Sequence, residues 1–389
     1  MAGTTAHAMV NGPLCPALAK LTNCKAQAYQ SEKLPASVLF LVDRSGSMAC
    51  NPPPTQDSAA CEMANAPANS MMPSKWQITT DALKKVFDNL VAQKSTASVG
   101  LSFFSNDNVC GVQSMPAVGV NPLSVPQVSS LKGSLDLTTP SGGTPMVGGM
   151  VLSYAYLHQE ATQPATGCTT PLCGAHGNRY VVVLTDGADS CVPDPNKPED
   201  AADAKLCTGA GSCTNYLVQK AAPDALSANI KTYVIGAPGS ESARGYLSAL
   251  AYAGGTAKNA TCNHDPKSAA GDCHFDMATS TDFAGDLTKA LTNISGAALG
   301  CDFAVPQTQN KVDKDNVAVQ YSPGGKGTPT CFAYDNKPCD GGADGWQFAK
   351  KSDGTDDHTH IVICGKSCNT IRADVAAKVD VVLGCLIVK

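Results

Sequence analysis

The sequence is short of charge. Asp, Glu, Lys and Arg make up only 16% of its 389 residues, and 28 basic against 33 acidic side chains leave a net charge of -5. No basic stripe is present to neutralise a run of phosphates, which excludes non-specific nucleic-acid binding. Long apolar runs are missing as well. The longest candidate, Val379 to Val388, is interrupted by Asp380, Gly384 and Cys385, and a membrane span needs roughly 18 uninterrupted apolar residues. Met1 to Val10 lacks a basic region followed by an apolar one, so these residues do not read as a secretory leader. The signatures of common enzymes are also absent: no G-x-S-x-G elbow, no H-E-x-x-H, no phosphate-binding G-x-x-x-x-G-K-[ST], no DxD of aspartyl phosphatases. No CxxC pairs have the spacing of a zinc site.

Against this background stand 18 cysteines, an even number spread over the whole chain. Many are near neighbours: Cys15 and Cys24, Cys50 and Cys61, Cys168 and Cys173, Cys207 and Cys213, Cys262 and Cys273, Cys331 and Cys339, Cys364 and Cys368. A reducing compartment would make this a metal-cluster protein, an oxidising one a disulfide-stapled protein. Without zinc spacing, disulfides are the better reading, and the expected setting is extracytoplasmic: secreted, periplasmic or displayed at the cell surface. The leader, and any lipid anchor at its end, are then expected to have been removed, and that anchor would be the only link to a membrane. With 43% hydrophobic residues the chain can bury a core, and its length fits one large domain plus a smaller one.

Residues 1–35 read as a loop-like extension held by Cys15 and Cys24. Val38-Leu39-Phe40-Leu41-Val42 is a continuous apolar run, as in a strand buried on both faces. A Pro-, Ala- and Asn-rich insertion spans Cys50 to Pro73, and Ser74-Lys75-Trp76-Gln77 reads as a capping box. The helix behind it has Ile78, Leu83, Val86, Phe87 and Leu90 as its apolar stripe. Further strands are expected at Ser98 to Phe104, Tyr180 to Leu184, Ile230 to Ile235 and His274 to Ala278. Further helices are expected behind Thr144-Pro145 (an N-cap with Pro at N1), around Leu247 to Ala251, and from Asp282 to Ile294. Residues 105–143 read as loop. Alternating strands and helices mean an α/β fold, a doubly wound and mostly parallel sheet covered on both faces. From about residue 298 to 389 the composition turns to Gly, Asp and Lys, with short strands at Val317 to Tyr321, His360 to Cys364 and Val379 to Leu383. This reads as a small disulfide-stapled β-rich domain, leaving 36–297 as the large α/β domain.

Three short motifs fall where such a sheet binds ligands, at the carboxyl ends of its strands. Asp43-x-Ser45-x-Ser47 follows the first strand, Thr144 precedes a helix in Ser141-Gly142-Gly143-Thr144-Pro145, and Asp186 follows the Tyr180 to Leu184 strand. Together they offer two carboxylates and three hydroxyls. These hard oxygens suit Mg²⁺ or Mn²⁺, with Ca²⁺ also accommodated, and do not suit Zn²⁺. Neutral hydroxyls leave such an ion electrophilic, so an open position could accept a carboxylate from a partner. A nearby helix N-terminus would favour the same anion.

In this order and on these elements, DxSxS, GGTP and LTDG resemble the von Willebrand factor A family, as in integrin inserted domains. The resemblance covers about residues 36–297. It implies that Ser45, Ser47 and Thr144 contact a divalent metal in a metal-ion-dependent adhesion site (MIDAS), with Asp43 and Asp186 binding directly or through water. It also implies that movement of the last helix could couple to the site. The acidic residues that form an adjacent calcium site in some relatives are replaced here by Met48-Ala49-Cys50-Asn51, so that site is not expected. The Cys-rich frame resembles surface lipoproteins of myxobacteria and related bacteria, including adhesins of gliding motility. The expected function is metal-dependent adhesion to an acidic group of a protein, polysaccharide or substratum, without catalysis. One alternative is an envelope-complex subunit that docks a partner protein through the same site. A metal-dependent hydrolase is a weaker one.

Several other features have plainer readings. Cys262-x-His264 and Cys273-His274 read as a disulfide with exposed histidines, not a zinc site. His358 and His360 read as surface residues, Asp313-Lys314-Asp315-Asn316 as an acidic turn lacking the Gly and distant Glu of a calcium loop, and Met71-Met72 and Met146/Met150 as ordinary core or loop methionines.

Overall fold

A computed structural model describes residues 27–30, 36–53, 59–92, 95, 97–162, 178–191, 216–258, 261–298, 301–305, 317–337, 343–350, 355–374 and 377–383. The chain divides into two compact units. The larger is Pro35–Leu299; the smaller combines Met1–Leu34 with Gly300–Lys389. The first strand, β1 (Gln27–Gln30), belongs to the smaller.

The larger unit is built on a six-stranded sheet of β2 (Ala36–Asp43), β3 (Ser98–Phe104), β4 (Val118–Pro122), β5 (Asn178–Thr185), β6 (Ile230–Gly236) and β7 (Phe275–Asp276), in the order β4-β3-β2-β5-β6-β7. All neighbours are parallel except β4, which runs antiparallel to β3 at the edge. Every residue of β2 is buried, because β3 and β5 flank it and helices cover both faces. That double burial is why its sequence is apolar without alternation. Successive side chains still point to opposite faces. Val38, Phe40 and Val42 join one core with α2 (Lys75–Ala92) and α7 (Phe283–Ala298), through Leu83, Val86, Phe87, Leu90, Phe283, Leu287, Leu291 and Ile294. Leu39 and Leu41 join the other with α4 (Met146–Thr162) and α6 (Arg244–Ala253), through Met146, Met150, Tyr154, Leu157, Leu247 and Leu250.

The stretch 105–143 is not the loop expected from the sequence. It holds β4 and α3 (Val125–Leu137). Ser124 caps α3 by accepting from Gln127 N at 3.3 Å, Pro126 sits in its first turn, and Val128, Leu131 and Leu135 are buried. The Gln127 amide bonds Val99 O and Gly119 O, fastening the helix to the β3–β4 edge. The expected strand His274 to Ala278 shortens to the two residues of β7. Between Cys262 and Cys273 there are turns and no strand. Two further short α-helices lie among the described residues of the unit: α1 (Ala59–Ala64) in the insertion after β2, and α5 (Ala222–Ser227), which continues a π turn at Leu217–Ala221.

The smaller unit has two antiparallel sheets. One is ordered β1-β13-β9-β10, with β9 (Val317–Ser322), β10 (Thr330–Phe332) and β13 (Lys378–Leu383). The other is ordered β11-β12-β8, with β8 (Asp302–Ala304), β11 (Gly345–Lys350) and β12 (Asp356–Cys364). Gln27–Gln30, read from sequence as loop, is therefore a strand, with Gln27 opposite Leu383. Phe303, Trp346, Phe348, Ile361, Ile363 and Ile371 lie in the unit's core; Ile371 comes from α8 (Gly365–Ala373), a helix the sequence did not announce.

Disulfides join Cys50 to Cys61, Cys110 to Cys191, Cys262 to Cys273 and Cys301 to Cys368. The neighbours Cys364 and Cys368 are not joined, because Cys368 reaches back to Cys301. The Cys15/Cys24, Cys168/Cys173 and Cys207/Cys213 neighbours lie outside the described residues, as does Asp313-Lys314-Asp315-Asn316. No helix among the described residues is long and apolar enough to cross a membrane.

Candidate functional site

Asp43 is the last residue of β2 and is fully buried. The chain then tightens into a 3-10 turn, Gly46–Ala49, which folds Ser45 and Ser47 back toward it. Ser45 N donates to Asp43 Oδ1 at 2.8 Å, and the Ser45 and Ser47 hydroxyls stand 3.1 Å apart. Ser47 Oγ donates to Asp186 Oδ1 at 2.8 Å. Asp186 directly follows β5, which runs parallel and in register with β2, so the two carboxylates emerge side by side at one sheet edge.

Thr144 comes from a third segment. Ser141 N donates to Arg44 O at 2.6 Å and Gly46 N to Gly142 O at 3.0 Å, so the Ser141–Gly142 loop is zipped onto the one carrying Ser45. Gly142 has φ +82°, and a Cβ there would collide with Ser105 Oγ, so only glycine suits this turn. Thr144 N donates to Ser190 Oγ at 2.9 Å and Ser190 N to Thr144 O at 3.1 Å. The Cys110–Cys191 disulfide ties the loop after β3 to the one after β5, and a Cβ on Gly143 would lie 2.8 Å from Cys191 Sγ and 3.2 Å from Cys110 Sγ.

Thr144 does not cap α4 as the sequence suggested. The helix begins at Met146, and the Asp189 carboxylate from the loop after β5 accepts from Val147 N at 2.8 Å. Burial pushes the Asp189 carboxyl up to about 6, and its bonds from the backbone of Val147, Cys191 and Met146 oppose that rise. Among the described residues the Thr144 hydroxyl has no hydrogen-bond partner, which leaves it available to a ligand.

Three residues of the site were not singled out from sequence. Thr185, the last residue of β5, donates its hydroxyl to Asp43 Oδ2 at 2.7 Å. Ser190 positions Thr144. Lys75, 1% exposed, lies 2.7 Å from Asp186 Oδ2 through Nζ and donates to Pro238 O at 3.1 Å. The contact with Asp186 is an ion pair without hydrogen-bond alignment. Lys75 is the first residue of α2, where the helix dipole disfavours a cation. That misplaced charge was the available signal.

Lys75 is held there by a built insertion. The capping box is reciprocal: Gln77 N donates to Ser74 Oγ at 3.1 Å, and Ser74 N to Gln77 Oε1 at 2.8 Å. Lys75 N donates to Cys50 O at 2.8 Å. Buried Asn51 donates to the carbonyls of Asn69, Met72 and Pro73 and accepts from Asn69 N, so one amide folds the 50–73 insertion back on itself.

The site is electrostatically loaded. Burial pushes the Asp43 carboxyl up to about 7, and the negative charge of Asp186 adds to the rise; bonds from Ser45 and Thr185 oppose it. Two buried carboxylates at close quarters resist ionising together unless a cation joins them. No group of three or more His, Cys, Asp or Glu that could hold a metal occurs among the described residues. Any ion here would depend on two carboxylates assisted by hydroxyls. The described histidines include those weighed from sequence as ligands or surface residues. His264 is exposed and stacks on Tyr252 at 3.7 Å between centroids. His274 is buried, contrary to the exposed position expected, and both ring nitrogens lack partners. His358 is half-buried against Phe348.

No curated protein sequence matches this chain. Among solved structures it is similar to the pilus adhesin SpaC of Lactobacillus rhamnosus GG, at 14% identity and a TM-score of 0.43, over 92% of this chain and 40% of that one. It is similar to the PilB minor pilin of Streptococcus sanguinis at 15% identity and a TM-score of 0.42, over 69% of this chain and 62% of the pilin. A von Willebrand factor type A protein of Catenulispora acidiphila aligns at 11% identity and a TM-score of 0.39, over 93% of this chain and 60% of its own. The chain spans less than half of SpaC and under two thirds of the other two. Residues 37–270, more than half of the chain, match the profile of the von Willebrand factor type A domain, and the protein belongs to that family.

Proposed function

We propose that this protein is an extracytoplasmic adhesion protein that grips an acidic group through a divalent metal ion held at the carboxyl edge of its parallel sheet. Asp43, Ser45, Ser47, Thr144 and Asp186 would hold the ion, Mg²⁺ by preference, with Mn²⁺ or Ca²⁺ accommodated. The observation that carries the reading is the hydrogen-bonded line Ser45–Ser47–Asp186, which joins two strand ends and places two buried carboxylates together. The donor set fits. It is all oxygen, one ammonium stands against its two buried carboxylates, and the Thr144 hydroxyl is uncommitted. The ion would supply an electrophile for a carboxylate of a protein, polysaccharide or surface. The disulfides suit an oxidising compartment. The likeness of the Cys-rich frame to myxobacterial surface lipoproteins makes the outer membrane, and gliding motility, the setting in which to look for the partner, whether a substratum or another envelope protein.

The test is binding of the purified chain to candidate surfaces and envelope extracts, with Mg²⁺ or with chelator, for wild type and Asp43→Ala. Loss under both treatments, with the circular dichroism spectrum unchanged, is expected. Undiminished binding in both overturns the reading.

A further inference from the structure

We propose that Lys75 sets the charge of this site: its tethered ammonium shares Asp186 with a bound divalent ion, loosening the ion but strengthening the hold on an acidic ligand. The inference rests on the metal-site reading above.

The position of Lys75 is built, not incidental. Lysine is almost never fully buried unless paired, and this one is 1% exposed with its Nζ fixed by Asp186 Oδ2 and Pro238 O, from the loops after β5 and β6. Its backbone is pinned by Cys50 O and by the adjoining capping box. The side chain therefore cannot extend to solvent as surface lysines do. Asp186 is divided between two demands: Oδ1 accepts from Ser47, and Oδ2 faces the ammonium.

Charge counting gives the consequence. Asp43 and Asp186 together with Lys75 carry one net negative charge when the carboxylates are ionised, and a divalent ion brings the set to one net positive. Without the ammonium the loaded set would be neutral. An ammonium beside the ion repels it in a medium that screens poorly, and the same net charge attracts a carboxylate arriving at the ion's open side. The two affinities must then move in opposite directions when the charge is removed. A merely structural lysine would move both the same way.

The test uses the full chain, Lys75→Met and Lys75→Gln. The glutamine keeps a donor for Pro238 O and guards against a methionine variant that fails to fold beside an unpaired Asp186. Mn²⁺ affinity is measured by calorimetry. Acetate affinity of the Mn²⁺-loaded protein is measured by water-proton relaxation. Expected are Mn²⁺ binding on the order of tenfold tighter in the neutral variants, equal to about 1.4 kcal/mol, and acetate binding weaker by a similar factor. Parallel loss of both affinities, or no change in either, overturns the inference while leaving the metal site intact. A wild-type chain that binds no Mn²⁺ overturns the metal reading and this inference with it.

Discussion

Removing the Cys110–Cys191 disulfide should cost more stability than removing any short-range one. In the chain-entropy account, a disulfide stabilises by shrinking the unfolded ensemble, and the effect grows with the logarithm of the closed loop. Cys110 and Cys191 are 81 residues apart, which gives about 15 cal/mol/K, or about 4.5 kcal/mol at 25 °C. Cys50 and Cys61, 11 residues apart, give about 2.8 kcal/mol by the same relation. Cys110→Ser/Cys191→Ser should therefore lose on the order of 1.7 kcal/mol more than Cys50→Ser/Cys61→Ser. Amide hydrogen exchange in Val38 to Val42 reads this directly, because the central strand opens only when the unit unfolds. The long-loop pair also has a role in the folded state, since both sulfurs pack against Gly143 beside Thr144. If the two double variants lose the same stability, the entropy argument fails. The Cys110–Cys191 bond would then be valued for positioning Thr144 alone.

Acid should destabilise the larger unit through His274. Burial, first of all, pulls the ring down from 6.5 to about 4; Lys258 and Arg244 act in the same direction, while Asp276 and Asp272 oppose. The unfolded chain thus takes up the proton first as pH falls. The penalty is absent at pH 7, grows from about pH 6.5 to about 4, and reaches about 3 kcal/mol. His274→Gln should flatten the stability profile over that window in urea titrations, and parallel profiles would refute the assignment. Ser74→Ala should cost about 1 kcal/mol by leaving the Gln77 amide without its cap. Thermal melts check this; Ser74→Asp, which keeps an acceptor, should recover most of the loss.

The parts of this molecule that could be read from sequence were those where one residue type has one physical use. Val38 to Val42 is apolar at every position because both faces of β2 are covered, and the Ser74 to Gln77 box formed as spelled. The Asp43, Ser45, Ser47 and Asp186 cluster was legible because parallel strands end at one edge, so residues after different strands meet there. α3 escaped because Gly133 lies within it and only Val128, Leu131 and Leu135 of its 13 residues are buried. Asp189 escaped because its capping role is played across chain segments, at α4, where no local pattern records it. Lys75 was read only as part of a capping box; its electrostatic partner Asp186 is distant in sequence. Cys368 was grouped with Cys364 by proximity along the chain, whereas folding brought it to Cys301.

The pairing of β1 with β13 also imposes an order on assembly. Gln27 to Gln30 emerge from the ribosome long before Leu383 to Asp380, the residues they bond. The whole larger unit is synthesised in the interval and can fold while β1 waits. Closing so long a loop is slow compared with forming the β9–β10 hairpin. The smaller unit's four-stranded sheet is therefore expected to complete after the larger unit. Until then β13 has one side open, with a row of unsatisfied N–H and C=O groups facing whatever strand arrives first. Residues 300–389 expressed without the N-terminal segment would keep that edge permanently, and self-association through β13 is what such a fragment should display.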